Sequence, residues 1–413
     1  MRLTQIATRC GAMPECISGE FYLDGRTCHK ATENIYALKI LHPNWYSSLR
    51  EGDKPTNGSM RIQCSIEYPS GVLHRIKYHG RNKTTVKPGE NSISDWCFVK
   101  IPNGAVFGVR YFCYFKDGYP SLDNYEHGNY TVGEILDGQN ISNTEPVHKE
   151  LDNIFPNYST GSYFKPCAII SNSKNPAFFI FGDSIASGAY DTNWINSDHQ
   201  IAQGFLSRSI KNGFINSSRV GDRVSYLNSP NRIKYRFDLL KYCSHVVGSI
   251  GTNDLAIGME PSELILMLNS LSKNYFANKP LYLCTQLPKL ESYEEGFQKN
   301  NQLPVKYMDK INKFNSYLIN LDVFGQTGCL DINKIASSPL NENFWNLHPS
   351  GAKLTDDGIH PNYFGNKYIS HHLKLEVQFI DSYKYNTFYF FIVSLIVCFI
   401  SFASVFIGII LVS

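Results

Sequence analysis

The stretch Ala177-Phe-Phe-Ile-Phe-Gly-Asp-Ser184 decides the reading of this chain. Five consecutive apolar residues, three of them aromatic and closed by a glycine, read as a short strand buried on both faces. The Gly182-Asp183-Ser184 tripeptide then delivers a serine hydroxyl just past the strand's carboxyl end. Three further motifs follow in order: Asn216-Ser-Ser-Arg-Val-Gly221-Asp222, Gly251-Thr252-Asn253-Asp254 after the apolar run His245–Ile250, and Asp357-Gly358-Ile359-His360-Pro361. Each alone is ordinary turn chemistry. The information lies in their order, their spacing, and the strand-like runs before the first and third.

A serine hydroxyl is a weak nucleophile until a base takes its proton, and that base is commonly a histidine held by a carboxylate. Ser184 is the candidate nucleophile, His360 the candidate base, and Asp357 the residue that orients His360. The three-residue step from Asp357 to His360 places both side chains in one turn, so no distant acid is needed. Attack on an ester creates an oxyanion, where one preorganised donor is worth roughly 3–4 kcal/mol. The candidate donors are the backbone N–H groups of Ser184 and Gly221 and the side-chain amide of Asn253. This chemistry calls for no cofactor and no metal.

The constellation resembles the SGNH (GDSL-type) hydrolase superfamily. Ser184, Gly221, Asn253 and His360 stand on its four signature positions, and Asp357 on the histidine's partner. The resemblance covers about residues 174–380. In the second block the family often shows Asn-x-Gly-x-x-Gly, and Ser218 replaces the first glycine. The Gly-x-Ser-x-Gly elbow of α/β-hydrolases is absent, because Ala186 occupies its last position. The Phe-Gly-Asp-Ser form on an anchored chain is also similar to the viral haemagglutinin-esterases, which remove O-acetyl groups from sialic acids. In those proteins the serine lies near the mature N-terminus and a receptor domain interrupts the esterase. Here 183 residues precede the serine, and the interval to His360 is compact. A jelly-roll module followed by an SGNH domain, as in some carbohydrate acetylesterases, fits this order better.

Two globular regions and a tail are expected. Residues 1–165 read as a β-rich accessory or glycan-binding domain, a small sandwich or jelly roll: Ser59–Tyr68, Val72–Tyr78, Trp96–Ile101 and Ala105–Phe115 carry β-branched and aromatic residues between Gly, Pro and Asn punctuation. Residues 174–380 alternate strand and helix, implying a doubly wound parallel α/β sheet. Its strands are expected at Ala177–Phe181, ending at Asn216, at His245–Ile250, Pro280–Thr285 and Thr327–Ile332. Helices are expected at Pro261–Lys273, Tyr307–Leu321 and Phe364–Leu375. Around the site, Asp183 and Asp254 read as structural, Cys243 and Cys284 as buried thiols, and Tyr190, Trp194, Trp345 and His348 as candidates to line the pocket.

The stretch 388–412 holds 25 residues without a charge, enough for one transmembrane helix. The start of the chain shows no signal-peptide pattern. Taken alone, that gives a tail-anchored protein facing the cytosol. Eleven cysteines, seven of them before the esterase region, and sequons at Asn57, Asn82, Asn129, Asn140 and Asn157 favour an extracytoplasmic ectodomain with disulfides in the N-terminal domain. A sixth sequon, at Asn216, sits inside the second motif. The expected activity is hydrolysis of O-acetyl esters on glycans, with a lipid esterase, thioesterase or acyltransferase as the second enzymatic reading and a non-enzymatic, haemagglutinin-like glycan-binding attachment protein as the competing class. The expected partners are an O-acylated glycan or another ester, and the membrane; an oligomer interface on the N-terminal domain is left open. The formal charge of +3 with no basic stripe argues against nucleic acid.

Overall fold

A computed structural model describes residues 2–49, 51–121, 131–132, 135–136, 138–142, 164–191, 203–293 and 302–373. The deciding run forms the strand Ala177–Gly182, with every residue buried. It lies in a six-stranded sheet ordered Cys10–Gly11, Gly213–Asn216, Ala177–Gly182, His245–Ser249, Leu281–Cys284, Gln326–Leu330. Every neighbouring pair is parallel.

The pleat sends alternate side chains to opposite faces. Phe179 and Phe181 enter one core, and Phe178 and Ile180 the other. Helices Pro230–Asp238, Pro261–Leu271 and Met308–Ile319 close the first face through Ile233, Phe237, Leu264, Leu268, Ile311 and Phe314. Phe205–Ser209, Ile332–Ala336 and a helix over 363–373 close the second, through Phe205, Leu206, Ile332, Ile369 and Leu373. Each such side chain, fully buried, stabilises the fold by about 1.5–3 kcal/mol. Cover on both faces is why the strands read as unbroken apolar runs.

From Ala177–Gly182 the chain goes to the neighbour on one side, Gly213–Asn216, and then to the neighbour on the other, His245–Ser249. The carboxyl end of Ala177–Gly182 is therefore the topological switch point, where open α/β sheets bind their ligands. Ser184 follows it directly. The loops bearing Gly221 and Asn253 flank it on either side.

The β-rich region is built of two antiparallel sheets. One holds Arg2–Gln5, Ala168–Ser173, Ile35–Pro43 and Asn91–Ile93, with Cys97–Ile101 also on Ile35–Pro43; the other holds Lys83–Val86, Met60–Glu67, Val106–Phe115, Phe21–Lys30 and Gly138–Ser142, with Leu73–Arg75 at its side. Leu38 and Ile40 from the first sheet share a core with Leu23, Ile62, Val109 and Tyr111 from the second. That core continues into Phe179 and Phe181 of the parallel sheet. Cys10–Gly11 supplies the parallel sheet's outer strand, and Ala168–Ser173 pairs within the antiparallel one. The β-rich region thus lends a strand to the parallel sheet.

The expected disulfides are not formed. All ten cysteines among the described residues are free thiols, and eight of them are buried. The buried ones behave as small apolar core residues. Burial pushes Cys10 and Cys243 up to about 12 and Cys97 up to about 11. Among the described residues no helix is long and apolar enough to cross a membrane. The expected span at 388–412 lies outside them, as do Asn129 and Asn157. Asn57 and Asn82 are exposed, and Asn140 lies on the strand Gly138–Ser142.

Candidate active site

Ser184 opens a single helical turn, Ser184–Ser187, directly after the central strand. Asp183 caps that turn, its carboxylate accepting from the Ile185 N–H at 3.0 Å, as first-turn N–H groups require. Glycine is needed at 182, because an added Cβ would run into the Ser249 carbonyl. The serine hydroxyl lies 2.8 Å from His360 Nε2. On the other side of the ring, His360 Nδ1 donates to Asp357 Oδ2 at 2.6 Å. Residues 176 positions apart are joined in one relay.

The turn that carries Asp357 and His360 is folded by the same carboxylate. Asp357 Oδ1 accepts from the N–H groups of Ile359 at 2.8 Å and His360 at 2.7 Å. This is the Asx turn that aspartate favours, and Gly358, at φ +77°, supplies its left-handed step. Burial works to raise the Asp357 carboxyl, but the hydrogen bonds from the His360 ring and N–H and the imidazole's charge bring it down to about 2. It is therefore ionised at neutral pH and fixes the tautomer that leaves Nε2 free to accept the serine proton.

Three donors hold the turn from outside. The fully buried Trp345 donates its indole N–H to Gly358 O at 3.0 Å, Leu290 N–H reaches the same carbonyl at 3.1 Å, and Lys289 Nζ donates to Ile359 O at 2.8 Å. Burial lowers the Lys289 ammonium against the pull of Asp183 and Asp357, and burial raises Asp183 against the pull of Lys289. Tyr190 stacks on the His360 ring, with centroids 4.6 Å apart and planes at 15°.

The second and third motifs meet beside the serine. The Arg219 N–H donates to Gly182 O at 2.9 Å, and Asn216 Nδ2 donates to Ala186 O at 3.1 Å, which ties the second loop to the serine turn. Gly221 sits at φ +76°, where a Cβ would meet Leu49 Cδ1 at 2.5 Å. Asn253 Nδ2 donates to Asp222 O at 2.9 Å. That bond uses one of its two amide hydrogens and leaves the other for a ligand. Asp254 accepts from Val224 N–H at 2.9 Å and from Ser225 N–H at 3.2 Å, pinning the third loop to the second.

No protein-family model and no curated protein matches this chain. Solved structures do. A carbohydrate acetylesterase from Sinorhizobium meliloti, Est24, is 14% identical over 50% of this chain and 100% of its own, with a TM-score of 0.33. A lipolytic G-D-S-L family member from Veillonella parvula is 15% identical over 49% of this chain and 97% of its own, with a TM-score of 0.30. The salicylyl-acyltransferase SsfX3 of a tetracycline biosynthetic pathway is 12% identical over 88% of this chain and 82% of its own, with a TM-score of 0.33. The chain resembles the SGNH-type hydrolases. That likeness rests on the order of the four motifs and on the hydrogen-bonded site they build; similarity at these TM-scores adds nothing to it.

The structure gathers Ser184, His360 and Asp357 in one relay and brings Asn253 against the Gly221–Asp222 turn. Trp345 lies beneath the Asp357 turn rather than at an open wall, and Trp194 is outside the described residues. His348 bonds its neighbour Ser350 and makes no bond to the relay. Among the described residues no three His, Cys, Asp or Glu side chains gather as metal ligands.

Sequence reasoning missed Lys289, whose position after Pro288 carries no pattern. It also missed Arg236, which bonds Asp53 Oδ1 at 2.9 Å through Nε and Asp222 Oδ2 at 2.6 Å through Nη1, all three side chains being buried. Asp53 belongs to the hairpin formed by Trp45–Ser48 and Gly52–Pro55 in the β-rich region. The Arg219 guanidinium donates to the Ser47 carbonyl of the same hairpin. The β-rich region therefore props the loop that carries Gly221.

Proposed function

We propose that this protein is a serine ester hydrolase that removes O-acetyl groups from glycans through an acyl-enzyme on Ser184. The observation that carries the reading is the unbroken Ser184–His360–Asp357 relay at 2.8 and 2.6 Å. Ser184 Oγ attacks the ester carbonyl while His360 Nε2 takes its proton. The tetrahedral oxyanion is met by the Ser184 and Gly221 N–H groups and by the free amide hydrogen of Asn253. Collapse expels the sugar alkoxide, which leaves as an alcohol with the proton from His360. A water, deprotonated by the same imidazole, attacks the acyl-serine, and acetate departs with Ser184 restored. Asp357 stays ionised and stabilises the imidazolium in both half-reactions.

O-acetylated sialic acid is the glycan proposed first. We place the enzyme on the outer face of a membrane, held by residues 388–412. A panel of acetylated sugars and long-chain esters, run with wild type and Ser184→Ala, tests the reading. Acetyl-sugar turnover that disappears in the variant supports it; equal turnover by both proteins refutes the nucleophile, and preference for long acyl chains refutes the glycan substrate.

A further inference from the structure

The outward face of the sheet Lys83–Val86, Met60–Glu67, Val106–Phe115, Phe21–Lys30 carries an unusual set of side chains. A cavity of about 390 Å³ opens there, lined by Tyr22, Arg61, Gln63, Lys83, Phe112 and Tyr114. Strand register explains the grouping: Tyr114 lies opposite both Tyr22 and Arg61, and Gln63 opposite both Phe112 and Lys83. Their side chains therefore project from one side of the sheet, while Leu23, Ile62 and Cys113 project into the core. Tyr22 and Tyr114 form a tilted ring pair with centroids 4.8 Å apart, and the Arg61 guanidinium sits 5.5 Å above the Tyr114 ring. Among the described residues neither Arg61 nor Lys83 has a carboxylate partner. The acids nearby are engaged or shifted. Glu20 accepts from the Tyr114 hydroxyl at 2.8 Å, Glu67 pairs with Arg26 and Arg110, and burial pushes Asp24 up to about 7.

We propose that this cavity is a binding site for an acidic sugar, separate from the esterase centre. The chemistry matches group by group. Aromatic rings offer apolar faces to the C–H side of a pyranose, Gln63 offers both a donor and an acceptor to hydroxyls, and two cations that lack carboxylate partners among the described residues take a carboxylate. The volume is that of a small-ligand site. A nucleic-acid strand fits the observations less well, because two cations beside one pocket do not make the basic track a phosphate backbone needs. The inference rests on the glycan reading of the esterase: the sheet would hold the acidic glycan whose esters Ser184 cleaves.

The test uses the full chain carrying Ser184→Ala, titrated by calorimetry with sialyllactose, with lactose and with a single-stranded oligonucleotide. Sialyllactose is expected to bind, lactose at least tenfold more weakly, and Arg61→Gln with Lys83→Gln to weaken sialyllactose at least tenfold. The same pair of substitutions in the wild-type background leaves turnover of p-nitrophenyl acetate unchanged, which also shows that the variant folds. Failure of sialyllactose to bind, equal binding of lactose, tighter binding of the oligonucleotide, or indifference to the double substitution each overturns the site. Loss of sialyllactose binding alone leaves the esterase reading standing, and loss of ester turnover alone leaves the binding site standing.

Discussion

Asp53→Asn is the perturbation that most sharply tests how the β-rich region supports the esterase loops. Asp53 Oδ1 accepts from Arg236 Nε at 2.9 Å, and Oδ2 accepts from the N–H groups of Tyr235 at 2.8 Å and Arg236 at 2.7 Å. All of its partners are donors. An asparagine can satisfy one side, but its NH₂ must then face a donor on the other, and the carboxylate's charge is gone. Arg236 keeps Asp222 at 2.6 Å but stays buried with half its countercharge. Removing one partner of a buried ion pair costs about 3–5 kcal/mol, because the remaining charge is left uncompensated. The consequence for chemistry runs through Asp222, whose carbonyl accepts from Asn253 Nδ2 and whose neighbour is Gly221. Loss of one oxyanion donor costs roughly 3–4 kcal/mol of transition-state stabilisation. A donor displaced rather than deleted should lose about 1.4 kcal/mol, a tenfold fall in kcat. Urea unfolding followed by tryptophan fluorescence reads the first quantity, and steady-state hydrolysis of a small acetyl ester the second. The expected result is a stability loss near 3 kcal/mol, on the scale of one broken buried pair, with kcat down and KM little changed. An unfolding midpoint equal to wild type together with an unaltered kcat would refute the coupling.

Asp357→Asn retains an acceptor for the Ile359 and His360 N–H groups, so the turn should survive while the imidazolium loses its counter-ion; kcat is expected to fall by about three to four orders of magnitude, and a loss under tenfold in kinetic assays speaks against the relay. Lys289→Met removes the donor to Ile359 O and is expected to lower kcat more than it raises KM, since the lysine positions the turn and does not touch substrate; unchanged kinetics would show that Trp345 and Leu290 suffice. His42 is fully buried, stacks on Phe164 at 5.4 Å, and is held by burial at about 3, below its ordinary 6.5. Because the folded state binds fewer protons, its contribution is complete above about 6.5 and is lost as pH falls toward about 3, amounting to about 2 kcal/mol by pH 5. His42→Phe should flatten that part of the pH dependence in denaturant titrations at pH 7 and pH 5, and an identical slope in both proteins counts against a neutral buried imidazole.

The parallel sheet was legible because burial on both faces writes it as unbroken apolar runs. Gly213–Asn216 ends where its motif begins, and Ala177–Gly182 and His245–Ser249 lie within a residue of their expected ends. The relay was legible because Asp357 and His360 are local to one turn and the serine follows a strand. Pairing across long sequence distances was not. Cys10–Gly11 is a two-residue strand with no pattern of its own, and only the fold reveals that it borders Gly213–Asn216. Arg236 sits in Asn231-Arg-Ile-Lys-Tyr-Arg-Phe237, where apolar residues alternate as in a strand; Pro230 at its start makes it a helix whose buried positions are Ile233, Arg236 and Phe237. The cysteines misled because their number invites disulfides, whereas eight of the ten described are buried as free thiols and serve as apolar filler. The long helix Met308–Ile319 was marked by its 3.6-residue period, but Leu321 falls outside it, exposed and at φ +61°.

Covalent trapping tests the central claim most directly. Incubation with a fluorophosphonate, followed by digestion and mass spectrometry, is expected to place a single adduct on the peptide that contains Ser184. Labelling should be strongly slowed by His360→Ala. An adduct on another residue, or labelling at the same rate without the imidazole, would contradict the account.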